Sequence, residues 1–256
     1  PSCFFPGQDS QAVGLGRSLA KNFAVRRAGF AQVEEARGEN LSAVLWDGPI
    51  ETLTRTANAQ PALMATSLAA IRVLEAEAGL DLARDAAFVA GHSLGEYSAL
   101  AAAGAFSIGD AARLLRLRGI AMQAATPVGT GAMAAILGLD YDKVVAVAAE
   151  AAQGQVCDIA NDNAPGQVVV SGDVAAVERA VEIAKREGAA RAILLSVSAP
   201  FHCRLIASAA EAMREALASV EVATPKVPLV ANVTAAPVTD PAVIRELLVR
   251  QVTGTV

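Results

Sequence analysis

The stretch Ala86-Ala87-Phe88-Val89-Ala90-Gly91-His92-Ser93-Leu94-Gly95-Glu96-Tyr97-Ser98-Ala99-Leu100 decides the fold. Its first five residues form a short apolar run, its last five are helix formers, and Gly91 to Gly95 reads G-x-S-x-G between them. A serine held between two glycines at a strand-to-helix turn is a nucleophile elbow. The turn is tight enough that side chains at the glycine positions would strike backbone. The serine hydroxyl is then presented at a helix N-terminus, where backbone N–H groups can stabilise an oxyanion. An ordinary tight βα turn is the alternative reading of the same pentapeptide.

Outward from the elbow, helical and strand patterns alternate, as in an α/β protein with a mainly parallel sheet. Ser2 to Phe5 reads as a first strand ending at Pro6-Gly7, and Gln60 to Ala78 as a long apolar helix leading towards the elbow strand. From Pro127 to Val197 the pattern changes. Ala132 to Leu139, Val156 to Ala160, Gln167 to Ser171 and Arg191 to Val197 read as strands, with Tyr141 to Ala152 and Val174 to Gly188 as helices. That order, βαββαβ, is ferredoxin-like. The expected plan is a large α/β-hydrolase-like domain over residues 1–126 and 198–256 carrying a small ferredoxin-like domain over 127–197. Pro127 and Ser198-Ala199-Pro200 mark the hinges, and a cleft between such domains is a common ligand site.

Composition limits the function classes. The 256 residues are 54% hydrophobic, ample for a sizeable core. No run approaches the ~18 consecutive apolar residues of a membrane-spanning helix, and the N-terminus lacks the basic segment of a signal peptide, so a cytoplasmic protein is expected. A net charge of −5 offers no global attraction to nucleic acid or to an anionic membrane. Cys3, Cys157 and Cys203 lie far apart with no C-x-x-C pair, so neither a disulfide framework nor a metal site is expected, and the thiols are assigned to the core or its edge.

Ser93 needs a base, and the chain has two histidines. His92 is adjacent to the serine, where side chains diverge. His202, in Ser198-Ala199-Pro200-Phe201-His202-Cys203, lies downstream, as the order of this architecture requires. No acid between them is a convincing third member; Asp140, Asp158 and Asp162 fall in the small domain. A Ser-His dyad oriented by a backbone or amide carbonyl is therefore expected. In the helix expected over Ile108 to Ala124, Ala111, Leu114, Leu115, Arg118 and Met122 share one face, which sets Arg118 within an apolar stripe, while Arg113 and Arg116 point elsewhere and are expected to be solvated. A buried arginine needs an anion, either an internal carboxylate or the carboxylate of a substrate.

Together, Phe5-Pro6-Gly7-Gln8, Gln60-Pro61-Ala62-Leu63, Gly91 to Leu100, Arg118-Gly119, Gly131-Ala132-Met133, Asn163 to Gln167 and Pro200 to Cys203 closely resemble bacterial malonyl-CoA:acyl carrier protein transacylases over essentially the whole chain. The resemblance implies that Ser93 attacks the thioester of malonyl-CoA with His202 as base and that the N–H groups of Gln8 and Leu94 hold the oxyanion. It implies that Arg118 grips the malonyl carboxylate and that Gln60 and His92 line its pocket. It also implies that the Gln251 carbonyl orients His202 and that Phe201 favours malonyl over methylmalonyl groups. No cofactor is implied; acyl carrier protein and malonyl-CoA are the partners, and a monomer is expected. Two departures stand out. Asp9 replaces a glycine of the family motif beside the proposed oxyanion hole, and the family continues beyond Val256, so the large domain is expected to be incomplete. A thioesterase using the same dyad and a disabled carrier-binding module are the competing expectations. Lys185, Arg186, Arg191 and Arg204 are candidate contacts for an acidic carrier protein.

Overall fold

The computed structural model describes residues 1–22, 33–34 and 41–256. Its strands are β1 (Ser2–Phe5), β2 (Phe88–Gly91), β3 (Gly131–Leu137), β4 (Cys157–Ala164), β5 (Gln167–Asp173), β6 (Arg191–Leu194), β7 (Leu229–Ala231) and β8 (Ala236–Val238). They form two four-stranded sheets, ordered β1-β2-β7-β8 and β4-β5-β3-β6. Contacts divide the chain into two compact units, 1–120 with 213–247, and 121–212 with 248–256.

The first unit holds an α/β sheet of mixed direction. β1, β2 and β7 run parallel, with Phe5 opposite Gly91 and Ala90 opposite Val230, and β8 turns back antiparallel to β7. Parallel neighbours need crossover helices. The helices Thr56–Ala78 and Leu94–Ala102 supply buried faces, including Leu63, Met64, Leu68, Leu94, Ala99 and Leu100. The first of these begins four residues before the expected Gln60, so Pro61 lies inside it. Proline has no N–H to give the carbonyl four residues back, and that carbonyl, of Ala57, instead accepts from Arg116 at 3.4 Å while Asn58 Oδ1 accepts from the same guanidinium at 3.1 Å. Arg116 is thus half-buried against this helix, a correction to the expectation of a solvated residue. Arg113 is exposed and pairs with Asp110 at 2.6 Å.

In the second unit every strand pairing is antiparallel, and the chain order is βαββαβ. The helices Tyr141–Ala152 and Val174–Arg186 cover one face of the sheet, where Ala134, Ile136, Val144, Val168, Val170, Val177 and Ala180 form a continuous buried cluster. β4 runs to Ala164, four residues past its expected end, with two register irregularities against β5. The extra residues Asn161, Asp162 and Asn163 are polar because β4 is the last strand of its sheet, where alternation with a buried face lapses.

Contacts also place 198–212 and 248–256 in the second unit, whereas the sequence reading assigns them to the large domain. The reason is local. Asp162 N donates to Val256 O at 2.8 Å, Val256 N to Ala160 O at 3.0 Å and Thr255 Oγ1 to Ile159 O at 2.9 Å, so the final residues line up along β4. Arg204 donates from its backbone N and its guanidinium to Asp158 on the same strand at 2.8–3.1 Å. No helix among the described residues is long and apolar enough to cross a membrane.

Candidate active site

Packing at the elbow explains its glycines. A Cβ on Gly91 would lie 2.0 Å from the carbonyl carbon and oxygen of Gly95, and a Cβ on Gly95 would lie 2.3 Å from Phe5 O. The end of β2, the helix Leu94–Ala102 and the end of β1 therefore approach at backbone contact. Ser93, squeezed between them, adopts φ 54° and ψ −108°, a region a non-glycine residue occupies only when its surroundings hold it there.

Ser93 stands at the N-cap of that helix, where a serine ordinarily accepts a hydrogen bond from its own first turn. Here the side chain makes no such bond. Its Oγ instead accepts from Arg118 Nη2 at 2.9 Å, and Arg118 Nη1 donates to Gln60 Oε1 at 2.8 Å. Leu94, first in the helix, has an N–H with no intrahelical acceptor, as all first-turn amides do.

Arg118 is 1% exposed. Gly119 lets its helix approach Thr56–Ala78, because a Cβ there would meet Ala57 Cα and Thr56 O at 2.7 Å. Burial pushes the Arg118 guanidinium down from its usual value, while the electrostatic influence of Tyr97 and of Glu96 opposes the shift. The guanidinium carbon lies 5.8 Å from the centre of the Tyr97 ring. Glu96 is also 1% exposed, so a buried carboxyl group and a buried guanidinium share this interior.

Gln8 is half-buried in the loop after β1, and Asp9 beside it is exposed at φ 75° with its N–H given to Gln11 Oε1 at 2.8 Å. That backbone conformation favours glycine, which is the physical reason aspartate stands out there. His92 is half-buried, its N–H donating to Phe5 O at 3.0 Å.

In the second unit His202 is 4% exposed, at φ 56°, and its Nδ1 lies 2.8 Å from Gln251 O. A carbonyl only accepts, so the ring nitrogen facing it, Nδ1, is the one that carries a proton, which in a neutral ring leaves the lone pair on Nε2. Gln251, at the end of the helix Pro241–Gln251, is fully buried. The Arg204 to Asp158 pair fixes the segment that follows, and Cys203 Sγ donates to Pro200 O at 3.2 Å. Phe201, half-buried, packs against Met133, Ala160 and Val169 on the sheet face opposite the helices.

The first unit thus brings together Ser93, Arg118 and Gln60, and the second brings together His202 and Gln251. Asn232 was not evident in the sequence. Its Oδ1 accepts from Ser93 N at 2.9 Å and its Nδ2 donates to Gly91 O at 2.8 Å. It follows the apolar strand Leu229–Ala231, so a polar residue at a strand end was the only signal. Among the carrier-contact candidates, Lys185 pairs with Glu182, Arg186 with Glu150 and Glu187, and Arg204 with Asp158, while Arg191 is exposed on β6.

The sequence profile described as acyl transferase domain matches residues 3–256. The chain belongs to that family. Among acyl transferase relatives, the malonyl CoA-acyl carrier protein transacylase of Salmonella typhimurium is 45% identical over 247 residues, 96% of this chain and 79% of the relative. That of Bacillus subtilis strain 168 is 44% identical over 248 residues, 96% of this chain and 77% of the relative. A solved acyl-carrier-protein S-malonyltransferase from Bartonella henselae is 54% identical with a TM-score of 0.96, covering all of this chain and 81% of that one. A malonyl-transacylase solved in complex with a type II PKS acyl-carrier protein is 43% identical with a TM-score of 0.95, over all of this chain and 81% of that one.

Proposed function

We propose that this chain transfers the malonyl group of malonyl-CoA to the phosphopantetheine thiol of acyl carrier protein through a malonyl-Ser93 intermediate, supplying extender units for fatty acid synthesis. The observation that carries the substrate class is the 2.9 Å contact between the buried Arg118 guanidinium and Ser93 Oγ. An acyl group on that oxygen that ends in a carboxylate meets a fixed, desolvated cation, and an acyl group without one does not. The names of its acyl transferase relatives point the same way.

In the reaction, His202 Nε2 takes the Ser93 hydroxyl proton as Oγ attacks the thioester carbonyl. The N–H groups of Gln8 and Leu94 hold the oxyanion. Collapse breaks the carbon–sulfur bond, and coenzyme A leaves as a thiol with the proton from His202. The carrier thiol then gives its proton to His202 and attacks the serine ester, and Ser93 recovers a proton as the malonyl group departs. Arg118 and Gln60 hold the malonyl carboxylate, His92 lines the same pocket, Phe201 disfavours a methyl branch and the Gln251 carbonyl keeps Nδ1 protonated. These steps need only side chains and backbone amides, so no cofactor enters.

We read the first unit as an α/β-hydrolase-like core and residues 127–197 as a ferredoxin-like insertion. The order β4-β5-β3-β6 and the βαββαβ sequence of the second unit support this. The test is intact-protein mass after mixing with malonyl-CoA, then with phosphopantetheinylated acyl carrier protein, for the native chain, Ser93→Ala and His202→Ala. The expected result is a malonyl adduct that requires Ser93, forms slowly without His202 and moves to the carrier. An adduct lost to water instead overturns the transferase reading in favour of a thioesterase, and a Ser93→Ala adduct overturns the nucleophile.

A further inference from the structure

The geometry around Ser93 assigns Asn232 as the residue that positions the nucleophile, and this inference rests on Ser93 being that nucleophile. At an elbow the chain leaves the sheet ladder before the helix begins, so the backbone groups in between must find partners elsewhere. Asn232 serves two of them at once. Its carbonyl oxygen takes the Ser93 N–H at 2.9 Å and its amide nitrogen gives to the Gly91 carbonyl at 2.8 Å. The orientation of the amide is dictated by its partners, since an N–H can meet only the oxygen and a carbonyl only the NH2. Asn232 is held in turn by its own N–H, which points to Glu96 Oε1 at 3.4 Å, and by its place directly after β7, which pairs with β2.

Two consequences follow for the reaction. The Ser93 backbone sits at φ 54°, a conformation it leaves unless something outweighs the strain. The Asn232 amide bridges the residues on either side of the His92 peptide units and so locks that φ, and with it the direction of the Cα–Cβ bond and of Oγ. In addition, the Ser93 N–H is committed to Asn232. The oxyanion donors are therefore other amides, which agrees with the roles proposed for Leu94 and Gln8. Asparagine is the residue that fits this position. Aspartate keeps the acceptor for Ser93 N, loses the donor to Gly91 O and sets a carboxylate oxygen against that carbonyl. Alanine removes both bonds. Asn232 touches no substrate in this scheme and is a positioning residue.

The experiment is single-turnover acylation by malonyl-CoA, read by intact mass, for the native chain, Asn232→Ala, Asn232→Asp and the control Ser93→Ala. Rates are normalised to the folded fraction from circular dichroism. Malonyl-CoA binding is measured separately by calorimetry on the same Asn232 substitutions combined with Ser93→Ala. The expected result is an acylation rate per folded molecule about 10- to 100-fold lower in both Asn232 variants, the cost of a nucleophile displaced by a fraction of an ångström. Binding of malonyl-CoA is expected to stay within threefold, because Arg118 and Gln60 are untouched. A residue that only supports the fold would lower the folded fraction and leave the rate per folded molecule alone. Rates within threefold of native in the isosteric Asn232→Asp, or a loss confined to binding, overturn the inference while leaving Ser93 in its role. An adduct on Ser93→Ala overturns the nucleophile itself.

Discussion

Replacing Arg118 by methionine removes the cation with little change in volume, and its effect follows from the contacts Arg118 makes. The guanidinium is 1% exposed and presents Nη1 and Nη2 to neutral acceptors, Gln60 Oε1 at 2.8 Å and Ser93 Oγ at 2.9 Å. A malonyl carboxylate brought to the same fork gains two hydrogen bonds from a charged donor. Each contributes about 1.5–3 kcal/mol when a charged group is involved. The pair therefore amounts to about 3–6 kcal/mol, or ~10²- to 10⁴-fold in kcat/KM. An acetyl group cannot make these bonds. It loses only the contact between Arg118 and Ser93 Oγ, about 1.5 kcal/mol or roughly tenfold. Acylation rates with malonyl-CoA and acetyl-CoA, measured side by side, should therefore diverge by about one to three decades in Arg118→Met. Equal losses for the two substrates would refute the carboxylate clamp and return Arg118 to a purely structural part.

Gly119→Ala should destabilise the protein by about 1–3 kcal/mol, because its new Cβ meets backbone of Ala57 and Thr56 at 2.7 Å and neither helix can yield locally. A melting temperature unchanged in thermal denaturation would contradict that packing. The Cys157 thiol is pushed up to about 11 from an ordinary 9.0, chiefly by burial, with Asp158 adding to the shift. A raised native value means that its contribution to stability is complete below pH 9 and is lost as pH climbs from 9 towards 11, where the unfolded chain gives up a proton that the native one retains. Urea unfolding at pH 8 and pH 10.5 should show this decline, and Cys157→Ala should show a shallower one; equal declines would place the titration elsewhere.

What the sequence revealed and what it hid differ in kind. Gly91 to Gly95, the stripe carrying Arg118 and the alternation in the second unit are local patterns, and local patterns survive in one dimension. The strands β1 and β2 and the helices Ile108–Ala124 and Tyr141–Ala152 stand within two residues of their expected limits. The polar end of β4 was hidden because a strand at the edge of a sheet need not alternate. Arg116 was misread because its partner is the Ala57 carbonyl released by Pro61, 59 positions away in the chain and invisible to helical spacing. Asn232 meets Ser93 across 139 residues. The acceptor at His202 is a main-chain oxygen, which no residue type announces, and only the family resemblance pointed to Gln251. The placement of 248–256 beside β4 rests likewise on backbone pairing that leaves no trace in composition.

The neutral oxygen behind His202 suits a particular kind of leaving group. A carboxylate in that place would hold the imidazolium strongly, which is what expelling a poor leaving group such as an amine demands. A carbonyl holds it weakly, so the proton passes readily to and fro, and a thiolate is stable enough to depart without a strong acid behind it. In the proposed reaction both donor and final acceptor are thiols of the same chemical type, joined through an oxygen ester. The two half-reactions are then nearly mirror images, and the site acts as a two-way exchange whose direction is set by the relative supply of acylated and free thiol.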